Sequence, residues 1–334
     1  MRVVIFDARP YDQGYLKKAL KKHSVTFVSE PLSLANASKY SSAEVISCFI
    51  TSTLSADILG RLPNLKFIAT RSTGYDHIDM ATCKARNIIV SNVPSYGENT
   101  VAEHTFALIL SLARKVHKSY VRTLHDDFSI EGLRGFDLKE KTLGVIGTGK
   151  IGSHVIKIAK GFGMHVLAFD PYPNNFVAEL LHFKYVANIN EIYQNSDIIT
   201  LHVPLTNDNK HMVGKKQLAM MKPSALLINT SRGDLIDTDA LYESLRKEKL
   251  GGAGLDVIEG EELIKEEKEL LFTKGNEEKL RRVYEDKAIF RLENVVFTPH
   301  NAFNSEEAIH RILETTAENI NGFVMGNQIN TLRL

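Results

Sequence analysis

The sequence predicts an α/β protein built of two doubly wound parallel-sheet domains with an interdomain cleft. Three observations predict it. Short runs of β-branched and aromatic residues alternate with helix-like segments through the first hundred residues. The same alternation restarts at Thr142, now with a glycine-rich turn after its first strand. The 334 residues are too many for one average domain and enough for two. Strands buried on both faces read as near-continuous apolar runs, and regular strand–helix alternation makes a parallel sheet.

Taken in order, the first half should hold strands over residues 3–6, 25–28, 45–49, 67–70 and 88–90, with helices over 11–22, 56–61 and 78–86. Residues 98–128 read as one long helix, because Val101, Thr105, Leu108, Ile109, Leu112 and Val116 recur at helical spacing. Such a helix would run about 40 Å and bridge two domains. Beyond Thr142, strands are expected over 143–146, 165–169, 198–201, 225–228, 254–257 and 295–297. Helices are expected over 150–161, 189–195, 215–220 and 238–247. Residues 259–291 interrupt the alternation with a run of charge. There Glu261–Lys265 and Lys265–Glu269 are opposite-sign pairs four apart, as in a solvated helix. An amphipathic helix over 306–323 should cross back to the first domain. The expected domains are therefore 1–98 with 299–334 (substrate binding) and 99–298 (dinucleotide binding).

The glycine turn carries the first functional signal. Thr142 to Gly152 reads strand, turn, helix start, with the spacing G-x-G-x-x-G at Gly147, Gly149 and Gly152. In a dinucleotide-binding unit the first glycine makes the tight turn, the second lets the backbone approach a pyrophosphate, and the third lets helix and strand pack closely. The helix N-terminus offers N–H groups and a positive dipole end to the phosphates. The next strand ends in Asp170. A carboxylate there can bond both hydroxyls of the adenosine ribose of NAD and would repel the 2′-phosphate of NADP. Pro171, Tyr172 and Pro173 supply no arginine to hold such a phosphate, so the cofactor expected is NAD. The first half has no such turn and is not expected to bind a dinucleotide.

Composition excludes several classes. With 41 Lys and Arg against 40 Asp and Glu, the net charge is +1, so nucleic acid and anionic membrane are not expected partners. No apolar run approaches the length of a membrane span, and the N-terminus enters a strand pattern directly, without a signal-peptide pattern. Cys48 and Cys83 make neither a disulfide framework nor a metal-ligand spacing. A cytoplasmic protein without a metal is expected.

Three further strand ends bear ionisable residues: Arg232 in Asn229–Gly233, the acids Asp256, Glu259 and Glu261, and His300 after Thr298-Pro299. Ligands of open α/β sheets bind beyond the carboxyl ends of strands. An arginine there can grip a carboxylate bidentately.

Those motifs, together with Arg71-Ser72-Thr73-Gly74-Tyr75-Asp76-His77-Ile78-Asp79, Asn92-Val93-Pro94, Val101-Ala102-Glu103-His104 and Leu201-His202-Val203-Pro204, occur in an order and spacing that resembles the D-isomer-specific 2-hydroxyacid dehydrogenase family over nearly the whole chain. The likeness is to its D-lactate dehydrogenase branch, which implies reduction of pyruvate by NADH. The resemblance implies an Arg–Glu–His catalytic set at Arg232, Glu261 and His300. In it the histidine gives a proton to the carbonyl oxygen, the glutamate orients the ring, and the arginine holds the carboxylate. It places cofactor contacts at Lys150, Ile151, Asp170, Val203, Pro204, Asn209, Thr230, Arg232 and Asp256, beside the three glycines. Backbone N–H groups near Thr73 and Gly74 would bind the substrate carboxylate. Phe49, Tyr96 and Phe303 are the side-chain pocket candidates, and three aromatics suit a short side chain such as a methyl. His104 and His202 read as structural. The branch has a tyrosine where Asn304 stands, which leaves other 2-oxo acids, such as phenylpyruvate, 2-oxoisocaproate or hydroxypyruvate, as alternatives. A remoter alternative is an NAD(H)-sensing scaffold like the C-terminal-binding-protein corepressors, which share the fold and the set, though this chain shows no long tail or basic cluster. Relatives pair as homodimers through the cofactor domain, and the same is expected here.

Overall fold

The computed structural model describes residues 1–261 and 288–332. The chain divides into two compact units, Met1–Tyr96 with Ser305–Leu334, and Gly97–Asn304.

The first unit carries a five-stranded parallel sheet: β1 (Arg2–Ile5), β2 (Ser24–Phe27), β3 (Val45–Cys48), β4 (Phe67–Thr70) and β5 (Ile89–Ser91), in the order β2-β1-β3-β4-β5. This is the flavodoxin-like order. Alternate residues of a strand face opposite sides of a sheet, and both sides are covered here. Val3, Ile5, Val45 and Phe67 pack with Leu16 of α1 (Pro10–Ala19) and with Leu313, Ala317 and Ile320. Val4, Phe6, Ile46 and Ile68 pack with Ile58 and Leu59 of α2 (Ala56–Gly60) and Cys83 of α3 (Met80–Ala85).

The second unit carries seven parallel strands: β6 (Thr142–Ile146), β7 (His165–Phe169), β8 (Lys184–Tyr185), β9 (Ile198–Leu201), β10 (Leu226–Asn229), β11 (Gly252–Leu255) and β12 (Val295–Phe297). Their order is β12-β11-β10-β9-β6-β7-β8. Read from β8, this is the dinucleotide-binding order 3-2-1-4-5-6 with a seventh strand added. On one face, α4 (Glu98–Ala113) and α6 (Lys150–Gly161) bring Leu108, Leu112, Val155 and Ile156 against Val145 and Ile228. On the other, α8 (Ile189–Asn195), α9 (Lys215–Leu218) and α10 (Thr238–Arg246) bring Ile192, Leu218 and Leu241 against Ile146, Ile199 and Leu227.

Four expectations need correction. The helix expected over 98–128 is two helices, α4 and α5 (Val116–Thr123), broken where Lys115 takes a left-handed φ of 54°. The carbonyl of Ala113, which a continuing helix would pair with the amide of residue 117, accepts the amide of Phe136 instead, at 3.0 Å. Gly135 permits that return, since a Cβ there would lie 2.1 Å from the Ala113 oxygen. Nor is α4 a separate bridge: it is the first helix of the second unit. A seventh strand and a helix, β8 and α7 (Asn175–Leu181), stand where no element was expected. β8 is only two residues long, and α7 leaves Phe176 and Leu180 exposed, so neither shows a clean period. α7 is started by its N-cap, the Asn174 carboxamide accepting the amide of Val177. Finally, the second unit runs on to Asn304 rather than ending at residue 298, because Asp256 ties down the segment after β12.

The terminal helix α11 (Glu306–Val324) belongs to the first unit, where Phe323 stacks on Phe67 at 4.4 Å. The charged pairs of Glu261 with Lys265 and Lys265 with Glu269 reach into residues outside those described.

Candidate active site

Strand register brings the site residues of the second unit to one edge. Ile146 lies opposite Phe169 and Leu201, Asn229 opposite Leu201 and Leu255, and Leu255 opposite Phe297. The residues that follow, Gly147, Asp170, His202, Thr230, Asp256 and Thr298, therefore leave the sheet side by side. The order reverses at β6, between β7 and β9, where such sheets open a ligand crevice.

The glycine turn has the geometry its spacing predicts. Gly147 has φ +93°, and a Cβ on it would lie 2.6 Å from the His202 carbonyl oxygen. A Cβ on Gly152 would lie 2.1 Å from the Gly147 oxygen, so the third glycine is required by the packing of α6 on the turn. Gly149 differs: a Cβ there would meet no protein atom within 4 Å. Protein packing does not demand glycine at that position, whereas a pyrophosphate passing over the turn does. The residues thus fit a dinucleotide. Lys150 opens α6 and its ammonium lies 3.4 Å from the Glu98 carboxylate. Ile151 packs into the core under the turn. Asp170 stands directly beyond β7 and accepts the amide of Thr148 at 2.8 Å.

The loop after β9 lies alongside. Val203 is half-buried and Pro204 exposed. The Val203 carbonyl accepts the Ser231 hydroxyl, which joins this loop to the one after β10. Asn209 uses its carboxamide inside its own turn, donating to the Pro204 oxygen and accepting the Thr206 amide, both at 2.7 Å.

The Arg232 loop is held from below by Asn229. The buried Asn229 carboxamide donates to the Arg232 carbonyl at 2.8 Å and accepts the Ser231 amide at 3.0 Å. Thr230 is buried with its hydroxyl 3.1 Å from that of Thr105. Gly233 then crosses the chain that leads to Glu261, where a Cβ would lie 2.1 Å from the backbone carbon of Ile258. The loops bearing Arg232 and Glu261 are thereby in backbone contact. Lys210 and His211, neither of which the sequence gives a role, join the same two loops from outside. Lys210 is 2.8 Å from Asp234, and His211 is 2.8 Å from Glu259.

His300 and Glu261 meet as a pair: Nδ1 is 2.8 Å from a Glu261 carboxylate oxygen. A carboxylate at Nδ1 keeps the proton on that nitrogen and leaves Nε2 for exchange. The backbone of His300 is left-handed, φ 53°, a conformation that favours glycine and persists only when its surroundings hold it. Asp256 does so. It is fully buried. Its carbonyl accepts the His300 amide, and its carboxylate accepts the amides of Asn301 and Ala302, each at 2.8 Å, and the Thr298 hydroxyl. Because the Thr298 proton goes to Asp256, the His104 ring 2.9 Å away must donate to the Thr298 oxygen. Asp256, named from the resemblance as a cofactor contact, and His104, read as structural, thus form the support beneath the His300 turn. Only the fold could reveal this, since the two residues lie far apart in sequence.

Phe303 is buried and belongs to this unit. Phe49, Thr73, Gly74 and Tyr96 belong to the first. There Asp7 holds the Phe49 amide at 3.0 Å. The Thr73–Gly74 turn is braced by Asn92 and Ser72, whose side chains donate to the Thr73 and Gly74 carbonyls at 2.8 and 2.6 Å. Arg71 beneath it is buried and donates to the carbonyls of Phe6 and Asp7. Its pKa is lowered by that burial.

His202 is no proton donor at neutral pH, because burial pushes its pKa down to about 3. The unfolded chain binds that proton below about pH 6.5, the ordinary histidine value. Stability is therefore full above that pH and is lost as pH falls toward about 3. His202→Gln should flatten the acid side of a plot of Tm against pH. Parallel curves for the two proteins would show that His202 does not titrate in this way. Among the described residues, no three His, Cys, Asp or Glu side chains are placed to hold a metal, and no helix is long and apolar enough to cross a membrane.

A glycine turn at the switch point of a parallel sheet, with ionisable groups along the same edge, defines a nucleotide-dependent enzyme of the dehydrogenase class. Known proteins place it further. The sequence model of the D-isomer specific 2-hydroxyacid dehydrogenase NAD binding domain matches residues 106–302. A 2-hydroxyacid dehydrogenase homolog of Haemophilus influenzae is 38% identical over 327 residues, 96% of this chain and 95% of that one. The D-lactate dehydrogenase of Escherichia coli is 36% identical over 333 residues, 98% of each chain. An aromatic 2-oxoacid reductase of Clostridium sporogenes is 35% identical over 97% of this chain and 96% of its own. Among solved structures, the D-lactate dehydrogenase of Aquifex aeolicus complexed with NAD and lactic acid superposes with a TM-score of 0.87 at 35% identity, covering 97% of this chain and 96% of that one. The chain belongs to the D-isomer specific 2-hydroxyacid dehydrogenase family. It is an oxidoreductase that uses NAD and acts on a small 2-hydroxy or 2-oxo acid.

Proposed function

We propose that the protein is a D-lactate dehydrogenase, reducing pyruvate with NADH and a proton to D-lactate and NAD+. The observation that carries this reading is the 2.8 Å Glu261–His300 pair, at the same sheet edge as Arg232 and in a chain alike over 98% of its length to a D-lactate dehydrogenase. The bound cofactor supplies a hydride to the carbonyl carbon. The side chains supply the rest. His300 Nε2 gives a proton to the carbonyl oxygen while Glu261 holds the ring through Nδ1. The Arg232 guanidinium receives the carboxylate and draws charge from the carbonyl. The backbone N–H groups of Thr73 and Gly74 are candidates to receive the carboxylate, and Phe49, Tyr96 and Phe303 are candidate contacts for a short side chain.

A second reading, reduction of a bulkier 2-oxo acid, is favoured by the likeness to the aromatic 2-oxoacid reductase and by Asn304. Asn304 is exposed, and its carboxamide is held on Asn301 at 2.9 Å. NADH oxidation followed by absorbance, with pyruvate, hydroxypyruvate, phenylpyruvate and 2-oxoisocaproate, and the reverse reaction with D- and L-lactate, separates the two. Turnover confined to pyruvate and D-lactate supports the first reading. A preference for phenylpyruvate or 2-oxoisocaproate replaces it with the second, and NADH binding without any turnover favours a dinucleotide-sensing scaffold.

Arg232→Gln should lower kcat/KM for pyruvate about 10- to 100-fold, the range for a hydrogen bond to a charged group. An unchanged pyruvate response removes Arg232 from carboxylate binding.

The protein is expected to act in the cytoplasm as a homodimer joined through the second unit. Val116 and Tyr120 of α5 and Leu124 at its C-cap recur every fourth residue and are more than half exposed, an apolar face of the kind that marks an interface. Light scattering that gives the mass of one chain would refute the dimer.

A further inference from the structure

Asp170 is held by a chain of hydrogen bonds whose direction the chemistry determines. Its carboxylate cannot donate, so the Thr148 hydroxyl, 3.0 Å from Oδ2, gives its single proton to Asp170. The Thr148 oxygen is then an acceptor for the Tyr185 hydroxyl 2.7 Å away, and Tyr185 must donate. The Tyr185 oxygen in turn accepts the backbone amide of Asn174 at 3.2 Å. The chain runs one way, from Asn174 through Tyr185 and Thr148 to Asp170.

The carboxylate is nearly saturated by the protein itself. Oδ2 accepts both the amide and the hydroxyl of Thr148, at 2.8 and 3.0 Å, and Oδ1 accepts the Tyr172 amide at 2.9 Å. An ionised carboxylate has about four lone-pair sites. Three are taken, and the one left is on Oδ1.

We propose that Tyr185, acting through Thr148, is a positioning residue for cofactor selection: it locks Asp170 so that one oxygen faces the adenosine ribose and accepts one of its hydroxyls rather than both. The proposal rests on Asp170 as the ribose-binding acid. A carboxylate locked on Thr148 cannot swing away from a 2′-phosphate, so the repulsion that rejects NADP is kept at full strength. Tyr185 comes from β8, the short edge strand, which gives that strand a part in cofactor choice.

The test compares kcat/KM for NADH and NADPH in Tyr185→Phe, Thr148→Val, Thr148→Ser and Asp170→Ala, with Tm measured alongside. Tyr185→Phe keeps the ring and removes one hydroxyl. Its preference for NADH should fall about 3- to 10-fold, the range for a neutral hydrogen bond, with the change in KM for NADH rather than in kcat. Thr148→Val should lose more, and Thr148→Ser should restore the preference. Dinucleotides lacking the 2′- or the 3′-hydroxyl of the adenosine ribose should differ in KM, one being about 10-fold worse than the other, as expected when only one hydroxyl meets a charged acceptor. If Asp170→Ala abolishes the preference while Tyr185→Phe and Thr148→Val retain it, the positioning role is overturned and the ribose acid stands. If Asp170→Ala retains the preference, the ribose acid itself is misplaced and the proposal goes with it. Equal losses with the two deoxy analogues overturn the single-hydroxyl contact.

Discussion

His300→Gln is expected to lower the rate of 2-oxo acid reduction at least about 100-fold, the usual contribution of a general acid. The expectation follows from what glutamine keeps and what it loses. A glutamine can still reach Glu261 with an N–H and still tolerates the loop, so binding and fold should survive. It has no proton to give at neutral pH, so the charge developing on the carbonyl oxygen is left without a donor. The reading is a fall in kcat with pyruvate, accompanied by NADH binding within a few-fold of the parent by fluorescence. Near-normal turnover would remove His300 from the proton path. Glu261→Gln should act in the same direction and less strongly, because it leaves Nδ1 a neutral partner in place of the carboxylate at 2.8 Å.

Asp256→Ala is expected to damage both stability and turnover. The deletion leaves the amides of Asn301 and Ala302 and the hydroxyl of Thr298 without their acceptor, the buried Asp256 carboxylate; of the three donors Ala302 is buried, Thr298 half-buried and Asn301 exposed. Hydrogen bonds to a charged group contribute about 1.5–3 kcal/mol each and three are lost, one of them from a buried donor, so a loss of about 3 kcal/mol or more is expected. In a unit of this size that lowers Tm by roughly 6–12 °C. Turnover should fall by a further route. His300 holds a left-handed backbone that the Asp256 bonds stabilise, and a catalytic group misplaced by about 1 Å can lose about 100-fold. Asp256→Asn separates the two effects, since it keeps the size but turns one oxygen into a donor facing other donors. It should fold better than the alanine variant and still turn over slowly. An alanine variant with parental Tm and parental kcat would show that the His300 turn holds itself.

The residues of the site differ in how far the sequence makes them legible. Gly147, Gly149 and Gly152 announce themselves by spacing, because the turn, the phosphate approach and the helix contact are all local. The strand ends that bear Asp170, Arg232 and His300 were legible for the same reason: an apolar run followed by an ionisable residue is read within a few positions. Asn229, Asp256 and Tyr185 do not read as supports, and His104 reads as structural without the sequence naming its partner. Each acts through a partner that only the fold brings near, as when His104 on α4 reaches Thr298 beyond β12. The break between α4 and α5 was missed for the same reason. Apolar residues keep their period through it, and what stops the helix is a returning loop whose Phe136 amide takes the Ala113 carbonyl.

By itself the sequence determined the class of fold, the place of the dinucleotide turn and the choice of NAD, since these depend on short-range pattern and on the chemistry of single residues. The tertiary structure decided the seven-strand order, the backbone contact at Gly233 that brings the Arg232 and Glu261 loops together, and the one-way hydrogen bonds onto Asp170. Those depend on strand register and on the removal of water around paired groups. Both arise only when distant segments are packed against one another, and no local pattern encodes them.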